Sequence, residues 1–227
     1  MIRISALAIV VFCSACASRA PRFPGPLAAV GSPGTVVQGP QELSLPDVDE
    51  APAARVSRRD SRVGTAIAKA ADHYLSHRPR GFRDDCSGFV CAAVDRAGLP
   101  IEGNTRSLWE WASNRGITHH KKVAKLGDLV FFDNTYDRNK NGRWDDALSH
   151  IAIVIDIDGE GTMTLAHGGT SKGRTTMTMN LFRANDAQVN SYLRAKKSTD
   201  KKSARYLSGQ LWRGFATLSK EDLELSG

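Results

Sequence analysis

The chain has 227 residues, 41% hydrophobic and 24% charged, which is enough for one ordinary packed domain with further segments attached. Its net charge of +7 is scattered. The densest basic stretch, KKSTDKKSAR at 196–205, reads as a solvated face, which argues against a nucleic-acid partner and leaves a loose affinity for anionic polymers or membrane surfaces. Of the four cysteines, two lie near the N-terminus, and Cys86 and Cys91 fall on different sides of one predicted helix, too far apart to bridge.

In chain order, Arg3 is followed by ISALAIVVF (4–12), an apolar run the length of a signal-peptide core and too short to span a bilayer. CSAC (13–16) comes next and resembles a bacterial lipoprotein box with Cys16 as the lipidated residue, although Cys13 stands where such boxes usually carry Leu. Cleavage at the small-x-small run of Ala15 and Ala17 is the alternative. Residues 1–16 are therefore expected to be a lipoprotein-type signal peptide. Ala17, rather than Asp, follows Cys16, and by resemblance to sorted lipoproteins this favours an outer-membrane anchor facing the periplasm. Seven of the nine prolines lie between Pro21 and Pro52, so residues 17–57 read as a disordered Pro-rich tether ahead of a folded domain at 58–220.

Val63, Ile67, Ala70 and Tyr74 recur at helical spacing and predict a first helix over about 61–76. A second is expected from Cys86 to Ala97, stopped by Gly98 and Pro100. A short third, carrying Leu108 and Trp111, is capped by Asn104. The period then changes. DLVFF (128–132), HIAIVIDI (150–157), TMTLAH (162–167), TTMTMNL (175–181) and LWRGFATL (211–218) read as strands, with turns at Asp158-Gly159, Gly161 and Gly168-Gly169. The run at 150–157 is apolar on both faces and should be a central strand covered on both sides. Helices followed by a mainly antiparallel sheet of about five strands make an α+β domain.

With Cys13 and Cys16 in the export segment, Cys86 and Cys91 remain as free thiols in an exported domain, which is unusual in an oxidising compartment. Cys86 stands at a helix N-terminus, where unpaired N–H groups and the dipole lower a thiol's pKa and can hold an oxyanion. Asp84 or Asp85 can cap that helix, and Ser87 and Gly88 leave room for a substrate. Cys91 reads as inert core. Of six histidines, His150 and His167 each lie at the end of an apolar strand; if those strands are neighbours, one imidazole can take the thiol proton while the other orients it. Arg83 and Arg106 are candidates to receive a substrate carboxylate.

The ordered set DCSGFV, GDLVFF, SHIAIVI and LAHGG resembles the NlpC-type cysteine peptidases of bacterial cell walls, over about 60–185. The resemblance implies a papain-like NlpC-type fold and cleavage of peptidoglycan stem peptides, commonly between D-glutamate and a diamino acid. It also implies Cys86 as nucleophile, His150 as base and His167 as the orienting residue, with no redox or organic cofactor. The chain departs from the family in two places. The tyrosine usually found shortly before the cysteine, whose hydroxyl assists the oxyanion, is replaced by YLSHRPRGFRDD. An insertion, DNTYDRNKNGRWDDAL, precedes SHIAIVI. There Asp137, Asn139, Asn141, Gly142 and Asp145 fall at positions one, three, five, six and nine of a calcium loop. Leu148 occupies the twelfth position, so Asp146 or Asp133 would have to complete the shell; a polar hairpin turning at Asn-Gly is the alternative. Two further readings stay open: a non-catalytic, calcium-stabilised peptidoglycan-binding lipoprotein, and a thiol amidase or acyltransferase acting on another exported substrate.

Overall fold

The computed structural model describes residues 52–198, 200–219 and 221. The signal peptide at 1–16, the lipidation site Cys16 and the tether up to residue 51 lie outside the described residues. Among the described residues, no helix is long and apolar enough to cross a membrane.

Helix α1 (Pro52–Ser76) begins earlier than expected, so the stretch 52–57, read as tether, is helical. Further along it, Val63, Ile67, Ala70 and Ala71 are buried, which is the expected apolar stripe. Helix α2 (Cys86–Arg96) is apolar on all sides, and Ser87 to Val94 are buried without a break. Such a helix must be covered all round, and α2 is packed against α1 and two strands. Asp85 is its N-cap, accepting from the Gly88 N–H at 2.7 Å. Helix α3 (Thr105–Asn114) is opened by Asn104 in a reciprocal capping box with Ser107.

The strands are β1 (Thr118–His119), β2 (Leu129–Phe132), β3 (His150–Ile157), β4 (Met163–Thr170) and β5 (Gly173–Met179). After the one-turn helix α4 (Ser208–Leu211) comes β6 (Trp212–Ala216). They form one antiparallel sheet in the order β1-β6-β2-β3-β4-β5. The two-residue β1 makes it six-stranded rather than five; it was too short to leave a period in the sequence. β3 is central as expected. Ile151 and Ile153 enter the core shared with the three longer helices, while Ala152 and Val154 enter a second core on the opposite face with Met163, Met177, Met179 and Phe215. The architecture is α+β and consistent with a papain-like fold.

Gly168 and Gly169 do not make a turn. They lie within β4, where the register shifts after His167. A Cβ on Gly169 would stand 2.6 Å from the Cys86 nitrogen, and one on Gly168 would stand 2.9 Å from Phe89 Cβ. The two glycines are where the sheet touches the start of α2.

Candidate active site

The first turn of α2 is built by short-range bonds. Asp85 accepts from the Ser87 hydroxyl at 2.8 Å as well as from the Gly88 N–H. Partial burial pushes its carboxyl up, but these bonds and the Arg83 guanidinium outweigh burial and hold it below the ordinary carboxylate value. Arg83 bonds Asp85, Ser87 and the Gly103 carbonyl. Its guanidinium thus ties α2 to the segment before α3. A Cβ on Gly88 would meet the Arg83 carbonyl oxygen at 2.0 Å, so the glycine of DCSGF is required by the backbone that crosses it.

Cys86 is half-buried and its sulfur is 3.7 Å from the Thr105 hydroxyl. The backbone N–H groups of Ile151 and Ser87 also face the sulfur. The Ile151 contact brings the thiol to the start of β3, whose first residue is His150. Burial pushes the Cys86 thiol up, and the Thr105, Ile151 and Ser87 donors offset this only in part. The helix-terminus argument alone predicts a lowered value; desolvation of a charge that close to the core is the larger effect.

His150 and His167 are brought together although neither their strands' register nor their sequence separation aligns them directly. His150 Nε2 and His167 Nδ1 are 2.8 Å apart, with the rings edge to face. Both are buried. Desolvation, reinforced for His150 by its neighbour, lowers His150 to about 3, and desolvation lowers His167 to about 4. At neutral pH both imidazoles are therefore uncharged, and one donates to the other. Nδ1 of His150 makes no hydrogen bond among the described residues, so it remains the free face of that ring. A cavity of about 550 Å³ opens beside His167, bordered by Thr170, Thr175, Tyr192 and Arg194.

The remaining histidines serve elsewhere. His73 and His77 stack at 4.0 Å around the end of α1, and His119 faces Asp128 at 3.6 Å. Cys91 is buried, with its sulfur 3.9 Å from the Gly103 carbonyl. Thr105 is the neighbour of the Cys86 sulfur to which the sequence did not point. Its only signal was its place just after the Asn104 cap, nineteen residues beyond Cys86.

The insertion folds back on itself. Asp137 accepts from the Asn141 and Gly142 N–H groups, and Asn139 and Asn141 both donate to Asp145. Asn139, Asn141 and Asp145 thus meet side chain to side chain while Asp137 holds the turn through backbone N–H groups, and oxygens of this kind suit a hard cation. The shell is not completed in the way expected. Leu148 is buried in the helix-side core, and Asp133 is occupied by the Leu148 N–H and Arg213. Asp146 is buried with one carboxylate oxygen unpartnered, outside the bonds of the cluster. Among the described residues, no three His, Cys, Asp or Glu side chains gather closely enough to hold a metal. The loop's base is stitched by Thr135, whose N–H and hydroxyl both reach Ser149, the residue before His150.

The thiol at the start of α2 and the pair of uncharged imidazoles on adjacent strands are the group types that thiol-based nucleophilic catalysis uses. Residues 77–169 match the family model of the CHAP domain, and DCSGF, GDLVFF, SHIAIVI and LAHGG all fall inside that stretch. The match agrees with the resemblance of these motifs to NlpC-type cell-wall peptidases. A crystal structure from Staphylococcus aureus, described as similar to a lipoprotein of the NLP/P60 family, is similar to this chain with 19% identity and a TM-score of 0.37. The similarity covers 70% of this chain and 42% of that one, so this chain spans about two fifths of the other's length. No curated protein matches the chain.

Proposed function

We propose that the protein is an exported, lipid-anchored cysteine peptidase that hydrolyses peptidoglycan stem peptides, with Cys86 as nucleophile, His150 as base and His167 as the residue that orients it. The observation that carries this reading is the 2.8 Å pairing of His150 Nε2 with His167 Nδ1 at the start of β3, where the Ile151 N–H faces the half-buried Cys86 sulfur. With Nε2–H donating to His167, Nδ1 of His150 is the unprotonated nitrogen and accepts the thiol proton. The sulfur attacks the peptide carbonyl, and the oxyanion is received by N–H groups at the start of α2. His150 returns the proton to the departing amine. It then takes one from water, whose oxygen displaces the thiol from the thioester, and hands that proton back to sulfur. Because burial disfavours both the thiolate and the imidazolium, the resting pair is neutral and the proton moves only as the carbonyl is attacked.

Anchoring through a lipid on Cys16, in the outer membrane and facing the periplasm, belongs to the same proposal, with the Pro-rich segment as the reach to the wall. So does a calcium ion held by Asp137, Asn139, Asn141 and Asp145, where it would stiffen the loop that leads into His150 without taking part in the proton transfers.

Digestion of purified sacculi by wild type and Cys86→Ala tests the reading. Peptides released by wild type alone, with masses that name the bond, are expected. Equal inertness of both, with co-sedimentation on the sacculi, would replace the peptidase by a wall-binding lipoprotein.

A further inference from the structure

Thr105 opens α3 directly after its Asn104 cap, and its side chain turns inward: the residue is 7% exposed and Oγ1 lies 3.7 Å from Cys86 Sγ. Among the described residues, that hydroxyl has no other hydrogen-bond partner. Its position is held from both sides. The capping box fixes the backbone that follows, through Asn104 Oδ1 on the Arg106 and Ser107 N–H groups and the Ser107 hydroxyl on the Asn104 N–H. The Gly103 carbonyl just before it is bound by Arg83 and by the Cys91 thiol, and so is tied to α2. A threonine at this place also has few rotamers to lose.

A neutral thiol is a weak acceptor, so the contact contributes little to folding while the sulfur is protonated. Once the sulfur carries charge, the same hydroxyl makes a charge-assisted bond of roughly twice the strength of a neutral one. An interaction that strengthens with the charge of the reacting atom lowers a barrier rather than a ground state. The tyrosine that precedes Cys86 in the sequence, Tyr74, lies twelve residues back on α1, and the segment between helix α1 and Cys86 holds no other. Tyr136, on the loop before His150, is half exposed and does not bond the sulfur.

We propose that Thr105 is a catalytic residue: its hydroxyl donates to the Cys86 sulfur and holds the thiolate as it forms. The proton leaves sulfur for His150 Nδ1 while the Thr105 O–H keeps its own proton and points it at the charge. As the sulfur–carbon bond forms, the carbonyl π pair moves to oxygen and the threonine bond slackens. The inference rests on Cys86 being the nucleophile of the proposed peptidase.

The test is the pH dependence of Cys86 alkylation by iodoacetamide in the full chain, read by mass spectrometry on the Cys86 peptide so that the other cysteines do not contribute. Wild type is compared with Thr105→Val, which keeps the shape and removes the donor, and with Thr105→Ser, which restores the donor. One hydrogen bond to a charged acceptor corresponds to a midpoint about one to two pH units higher in the valine variant, hence alkylation roughly ten- to a hundredfold slower at pH 8. The serine variant is expected within about threefold of wild type. If the valine variant fails to fold, Thr105→Ala against Thr105→Ser carries the same comparison. Equal rates in wild type and the donorless variants, at whatever pH the thiol begins to react, overturn the proposal. Alkylation needs no wall substrate. A protein that leaves sacculi uncut but still shows the shift loses the peptidase reading and keeps the threonine–thiolate bond.

Discussion

Replacing Gly169 by alanine probes the contact that seats β4 on the nucleophile. Gly169 has φ +67°, a left-handed conformation that costs an L-residue roughly 1–2 kcal/mol. Its added Cβ would also stand 2.6 Å from the Cys86 nitrogen and 2.9 Å from both the carbonyl carbon and Cα of Asp85. Those are backbone atoms of a capped helix start, not the flexible end of a side chain, so strand and helix must separate, at an overpacking cost of about 1–3 kcal/mol. Gly169→Ala is therefore expected to lose roughly 2–5 kcal/mol. Gly173 supplies the control: its φ is +76°, but an added Cβ meets nothing within 4 Å, so Gly173→Ala carries the conformational cost alone. Urea unfolding of both variants isolates the steric part as their difference, about 1–3 kcal/mol. A Gly169→Ala protein no less stable than Gly173→Ala would refute the close approach, and with it the account of how His167 reaches the neighbourhood of Cys86.

Acid should unfold the protein through its paired imidazoles. Their folded values of about 3 for His150 and about 4 for His167 lie below an unfolded value near 6.5, so the unfolded chain binds protons first. The stability they contribute is complete above about pH 6.5 and is lost as pH falls toward 4 and then 3. By pH 5 that amounts to about 2 kcal/mol for each ring. Unfolding free energies at pH 7 and pH 5 should differ by about 4 kcal/mol more in wild type than in a His150→Asn, His167→Asn double variant; equal differences would count against burial of neutral rings. For the insertion, excess calcium is expected to raise the melting temperature by several degrees over a chelator-treated sample, as a ligand at a hundred times its dissociation constant adds about 2.7 kcal/mol. Asp137→Asn should abolish the gain, and a shift under about 1 °C in wild type would remove calcium from the loop.

Much of the architecture was legible because it is local. The helical spacing of Val63, Ile67 and Ala70, the Asn104 cap and the two-sided apolar run of β3 are each written within a few consecutive residues, and each is found where expected. The start of α1 was not legible, because prolines and polar residues near Pro52 carry the same composition whether they continue a helix or a tether. β1 consists of two residues, and its pairing is decided by β6 almost a hundred positions away.

For the site, the sequence by itself determined which groups are present: a cysteine at a helix start behind Asp85, and two histidines at strand ends, in an order that resembles one family. Only the tertiary structure decided how those groups meet. It aimed Nε2 of His150 at His167 and left Nδ1 free, turned Gly168 and Gly169 from an apparent turn into a seam against α2, set Thr105 on the sulfur, and raised rather than lowered the thiol's pKa. The physical reason is one of range. Caps and periodicities arise between near neighbours along the chain. Desolvation and side-chain contact arise between segments that folding brings together, and no short stretch of sequence carries their sum.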